Sequence, residues 1–275
     1  PDQSFQTIEG NLSNNGVLVL NGVDRVTIDG RINELGNNLM IKNNNSTSIS
    51  SAIRIVSLGE DMGCDDILIR NCIISGGSAD YSSSYALTIG GTSYLASNGA
   101  SNNNISIIEN NFVSAYWGIV AKGVQTTGYN QNLIIKSNTI GSTVPSRRIN
   151  LRGINIENCP GALITENHIH NFNASTYSYI AGIEIGTGCY DAVISKNKIN
   201  SLYELNNYGV NGILISNGTN TSNVNIVNNI IYDLKTPNYS ETNLTSNPFG
   251  IRIQSGIDHK IYYNSVNLFG EQIPT

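Results

Sequence analysis

The chain has 275 residues, of which 39% are hydrophobic and 13% charged, against roughly 25% charged in an ordinary globular protein. Its net charge of −5 supplies no basic field for nucleic acid. No apolar run approaches the roughly 18 residues of a membrane helix, and no Cys-x-x-Cys pair marks a zinc site.

Residues 1–50 are the least regular. Gly16–Leu20 and Val26–Gly30 read as short strands on either side of the turn dipeptide Asn21–Gly22, and Asn43–Thr47 reads as a polar loop. A repeat then becomes legible. Its first run is a Gly or Ala followed by two apolar residues that alternate with a third. It recurs at Ala52–Val56, Ala86–Gly90, Gly118–Ala121, Gly153–Ile156, Gly182–Ile185, Gly212–Ile215 and Gly250–Ile253. The anchors Ile53, Leu87, Ile119, Ile154, Ile183, Ile213 and Ile251 are 34, 32, 35, 29, 30 and 38 residues apart. Alternation at period two puts the apolar pair of each run on one face. Arg54, Thr88, Val120, Asn155, Glu184, Leu214 and Arg252 go to the other.

The second run has the form apolar-x-Ile-x-x-Asn-x-apolar. It recurs at Ile105–Phe112, Leu133–Ile140, Ala162–Ile169, Ala192–Ile199 and Val224–Ile231, with a degenerate copy at His259–Val266. Its Asn positions form a column: Asn110, Asn138, Asn167, Asn197, Asn229 and Asn264. Cys72 takes that place in the Ile67–Ile74 copy.

Self-similarity at this period predicts a solenoid, one unit recurring and stacking. Nothing has a sustained helical period, and Gly and Asn are too dense for helix. At roughly 30 residues per turn and roughly 4.8 Å between stacked strands, about seven or eight coils make a rod of roughly 35–40 Å. The expectation is one all-β domain over 1–275, a right-handed parallel β-helix. Residues 1–50 would be irregular first coils or a partial cap, 51–269 regular coils and 270–275 a tail. No clear cap is legible at the C-terminal end, which suggests further β-helix coils of a longer parent chain.

The paired runs resemble right-handed parallel β-helix proteins over about residues 50–269. They look most like the Asn-rich β-helix segments of large secreted surface proteins of Bacteroidetes-type bacteria. That resemblance implies a secreted or cell-surface location. In this architecture an Asn column is expected to be a structural ladder of side-chain amides in turns, each bonding to the next coil. The same fold also carries pectate and alginate lyases, polygalacturonases and phage tailspikes.

Two clusters are candidate sites. Glu60, Asp61, Asp65 and Asp66 lie in one short acidic segment whose hard oxygen ligands could hold calcium. Arg147, Arg148 and Arg152 form a basic patch near Lys122. With Tyr85, Tyr116, Trp117 and Tyr129 from neighbouring coils they suit a sugar or an acidic glycan. His168 and His170 flank Ile169 and are expected as exposed strand positions. Cys64, Cys159 and Cys189 each precede their coil's column position by eight residues. Cys159 and Cys189 should therefore stack as free, buried thiols.

The acidic and basic clusters lack the converging carboxylates of a glycoside hydrolase. The reading favoured by the sequence is a non-catalytic module, a stalk or adhesin-like rod whose expected partner is polysaccharide or another cell-surface component. The alternative is a polysaccharide lyase or glycoside hydrolase, and the third is a self-associating filament subunit. No cofactor other than calcium is implied.

Overall fold

The computed structural model describes residues 4–126, 128–174, 178–206, 208–236 and 244–268, except for the side chains of 219–221. The tail expected at 270–275 lies outside them. The chain winds as a parallel β-solenoid of three sheets, with nine, eight and eight strands. Sheet A runs from Gln6–Gly10 to Ser265–Asn267, sheet B from Gly16–Asn21 to Pro248–Ile257 and sheet C from Thr27–Asp29 to Lys260–Tyr262. Helix is limited to two short 3₁₀ turns, Pro145–Arg147 and Leu244–Ser246, among the described residues. No described helix is long and apolar enough to cross a membrane.

The Ile anchors read from the sequence are in register: Ile53, Leu87, Ile119, Ile154, Ile183, Ile213 and Ile251 are consecutive partners across sheet B. Sheet A contributes Ile41, Ile74, Phe112, Ile140, Ile169, Ile199 and Ile231 to the interior, and sheet C contributes Ile69, Ile107, Ile135, Ile164, Ile194 and Ile226. Burying each of these removes an apolar side chain from water, worth about 2 kcal/mol apiece.

The second run of each repeat proves to be two strands in two sheets. Leu133–Ile140, for example, divides into Ile134–Lys136 in sheet C and Thr139–Ile140 in sheet A. The corner between them is a residue with positive φ followed by the column Asn. Asn71, Glu109, Ser137, Glu166, Lys196, Asn228 and Tyr263 take φ values from 53° to 60° there. A left-handed non-glycine residue costs roughly 1–2 kcal/mol, so something must hold the corner.

What holds it is the Asn side chain. Asn167 Oδ1 accepts from the Asn138 backbone N–H and from Asn138 Nδ2, both at 3.0 Å, while Asn167 Nδ2 donates to the Ile135 carbonyl at 2.9 Å. The same pattern joins Asn110 to Asn138, Asn167 to Asn197, Asn197 to Asn229 and Asn229 to Asn264. At the N-terminal end, Asn110 Oδ1 accepts from the Cys72 backbone N–H at 2.9 Å, but the Cys72 thiol cannot extend the amide pattern.

Sheets A and B meet along the glycines of the first run. A Cβ at Gly182 would stand 2.8 Å from both the Gly212 carbonyl oxygen and Ile199 Cγ2. Only a residue without a side chain lets the Ile column of sheet A press against sheet B there.

A second column, eight residues ahead of the first, carries the cysteines. Asn102 Oδ1 accepts from the Cys64 N–H at 3.1 Å, and Asn130 Oδ1 accepts from the Asn102 N–H at 3.0 Å. The Cys159 N–H points to Cys189 Sγ at 3.4 Å. All four cysteines are free and buried.

On the outer face of sheet A, His168 and His170 are half-buried rather than exposed, their rings stacked at 4.2 Å. His168 Nε2 bonds to Asn200 Oδ1 at 3.0 Å, and Asn171 Nδ2 donates to His170 Nδ1 at 2.7 Å. Burial, followed by His168 and Lys198, depresses the His170 pKa from 6.5 to about 4.

Two outcomes are expected. Asn167→Ala strands the Asn138 N–H and the Ile135 carbonyl in the interior, and should cost about 2–5 kcal/mol in urea unfolding. Unfolded chain binds a proton at His170 near pH 6.5, whereas the folded chain waits until about 4. Stability should therefore fall as the pH drops through that window, and His170→Asn should flatten the fall in unfolding curves taken between pH 7 and 4.

Candidate functional site

The outer face of sheet B brings together part of the aromatic and basic cluster. Tyr85, Trp117 and Arg152 are register partners on the Ser84–Gly90, Ala115–Lys122 and Ile149–Glu157 strands. Their side chains pile up along the rod axis. Tyr85 stacks on Trp117 with centroids 5.9 Å apart, and the Arg152 guanidinium stands 5.7 Å from the Trp117 ring. On its far side the guanidinium lies 3.9 Å from the ring of Tyr179.

Arg152 is a structural cation. It is buried, it donates to Glu184 Oε2 and to the Tyr179 carbonyl, and Tyr179 Oη donates to Glu184 Oε1 at 2.8 Å. Both oxygens of Glu184 are thereby engaged, and the two charges neutralise each other out of solvent. Burial pushes the phenols of Tyr85, Tyr116 and Tyr179 above their ordinary pKa, so all three stay protonated at neutral pH.

Beside this pile lies a cleft of about 180 Å³, lined by Tyr85, Tyr94, Leu95, Ala96, Asn98, Trp117, Val120 and Lys122. The loop that carries Tyr94 is tied down by Arg54, whose Nη2 donates to the carbonyls of Gly91, Thr92 and Tyr94 at 2.7, 3.1 and 3.4 Å. Trp117 is held from below by its Nε1–H, which donates to the Ser82 carbonyl at 2.9 Å. Tyr94 is 67% exposed, so its ring is open to a ligand. Lys122 is ion-paired to Glu157 at 3.0 Å. The cleft can offer a sugar an aromatic face, an amide and an ammonium group.

The other members of the cluster lie elsewhere. Tyr116 occupies the irregularity between Ala115 and Trp117. Tyr129 pairs with Tyr190 beyond the end of the Ala115–Lys122 strand, the two hydroxyls hydrogen-bonded and the rings edge to face at 5.6 Å. Arg147 and Arg148 sit at the corner that leads into sheet B, where their carbonyls accept from the Ser114 and Ala115 N–H groups.

The acidic segment is dispersed. Asp65 Oδ1 accepts from the Asn103 N–H and Asp66 Oδ1 from Asn104 Nδ2, each at 3.0 Å, so both serve the corner between sheets B and C. Asp66 takes φ 57° and Asp61 φ 55° in their turns, and Glu60 lines a separate cleft with Ser57, Gly91 and Asn98. Among the described residues no three His, Cys, Asp or Glu side chains are grouped to hold a metal ion.

Sequence reasoning missed Tyr94, Asn98 and Tyr179. All three sit in loops outside the repeat. For Tyr94 and Asn98 the signal available was the long stretch between Gly90 and Ser106, which is more than a corner requires.

No protein-family model matches the chain, and no curated protein matches it. Two solved structures of PfbA, a surface adhesin of Streptococcus pneumoniae, are similar to it. One shares 12% identity over 90% of this chain and 68% of its own, with a TM-score of 0.35. The other shares 10% identity over 90% and 62%, with a TM-score of 0.32. These likenesses place the chain in no family.

Proposed function

We propose that this chain is a non-catalytic β-solenoid module of a secreted or cell-surface protein, a rod that presents a glycan-binding cleft on the outer face of sheet B. The observation that carries the reading is the exposed Tyr94, which lines one cleft with Asn98 and Lys122 on a loop whose backbone Arg54 anchors. A pyranose can lay its C–H face on Tyr94 while its hydroxyls reach the amide and the ammonium group.

Two outer carboxylates, Asp29 and Asp233, fit a binding role better than hydrolysis. A hydrolase of this fold needs one carboxyl kept protonated near neutral pH. Arg31 and Arg70 hold Asp29 down to about 2. Burial pushes Asp233 up, but hydrogen bonds from Tyr203, Lys235 and Ser201 prevail and keep it below its ordinary value.

A glycan array probed with the purified chain, followed by calorimetry on the best binder, tests the reading. Tyr94→Ala should weaken that binding roughly tenfold or more through the lost ring contact, with unfolding unchanged. A chain that binds no glycan, or a Tyr94→Ala variant that binds as well as the parent, would sink it.

A further inference from the structure

A second cleft, of about 340 Å³, lies on the other side of the corner between sheets A and B. Its lining includes Lys42 and Asn44 from one coil, Ser75 from the next, Ser114 from the third, and Ser146 and Arg147 from the fourth. Lys42 and Ser75 are register partners, and so are Ser75 and Val113, which also borders the cleft. The cleft therefore runs along the rod axis over four coils, roughly 14 Å at the strand spacing.

Its charge is unusual for this chain. Most of the 15 Lys and Arg residues are committed. Arg31 and Arg70 bind Asp29, Lys122 binds Glu157, Lys136 and Lys196 flank Glu166, Arg152 binds Glu184, and Lys235 binds Asp233. Arg54 is spent on carbonyls, and Lys198 and Arg252 lie over Tyr232 and Phe249. Lys42 and Arg147 have no ion pair among the described residues, and they line the same cleft. No carboxylate lines it. The nearest in register, Glu9 opposite Lys42, accepts from Asn44 Nδ2 at 3.4 Å.

Arg147 is also held in place. It ends the 3₁₀ turn Pro145–Arg147, whose first position is a proline. Its N–H donates to the Val144 carbonyl at 2.9 Å, and its own carbonyl accepts from the Ser114 N–H at 3.1 Å. Two unpaired cations three coils apart along the cleft, with Ser75 and Ser114 from the coils between them, suit a chain that carries an anion at intervals better than a single ion.

We propose that this cleft binds an anionic polysaccharide, its carboxylate or sulfate groups engaged by Lys42 and Arg147. The site is separate from the Tyr94 cleft and does not depend on it.

The test is retention and titration of the purified chain on polygalacturonate, heparin and neutral dextran at low salt. Binding to polygalacturonate or heparin, weakening with salt and absent on dextran, is expected. Binding to polygalacturonate shows that carboxylate suffices, whereas binding to heparin alone, which carries both groups, assigns the contact to sulfate. The Lys42→Ala/Arg147→Ala double variant should bind roughly tenfold more weakly or worse. A Lys196→Ala/Lys260→Ala double variant removes the same charge elsewhere and should bind like the parent. No binding to either polyanion, equal binding to dextran, or equal loss in both double variants would overturn the proposal. Matched urea unfolding of the two variants separates lost binding from lost fold.

Discussion

The corner between sheets C and A is where this fold is decided. At this corner every coil turns sharply through a residue in the left-handed region. No glycine relieves the strain at Glu109, Ser137, Glu166 or Lys196. The Asn that follows each of them bonds across the coil boundary, through its oxygen to one backbone N–H and through its nitrogen to one carbonyl. Each corner thus depends on the neighbouring corner being formed. Register follows, because a one-residue slip would separate every amide from its partner and turn the Ile columns outward.

Much of this was legible in the sequence. The interval between successive Ile anchors is also the interval between register partners, so repeat spacing located the strands of sheet B. The glycine that opens each first run proved to be a contact requirement, since a methyl at Gly182 would meet the Gly212 carbonyl. The division into three sheets was not legible. The corner residues are Asn, Glu, Ser, Lys and Tyr, which share no side-chain chemistry, and a backbone angle alone leaves no mark on composition. Residues 6–43 already hold places in all three sheets, although their repeat is too worn to read.

The candidate site was half legible. Tyr85, Trp117 and Arg152 lie together because they hold register positions in successive coils of the repeat. The role of Arg152 was hidden, because Tyr179 comes from a loop of irregular length and Glu184 is in register with Asn155 rather than with Arg152. Burying that ion pair between aromatic rings converts a recognition-like cluster into a brace. The surface left for a partner is then set by insertions such as the 91–98 loop, and by the few cations that the rod does not use for itself. Regular coils supply the scaffold, and departures from regularity supply the chemistry.

The amide bonds also give the rod a mechanical character. They point along the axis, so a pull on the two ends acts on the coil-to-coil bonds in series, and each junction bears the whole force instead of a share of it. Each coil touches only its neighbours, and whichever coil lacks a neighbour gives way first. Every coil that unwinds pays out about 30 residues, on the order of 100 Å of slack, while those behind it keep their shape. Such a rod lengthens under tension in steps and dissipates a sudden load as it does so.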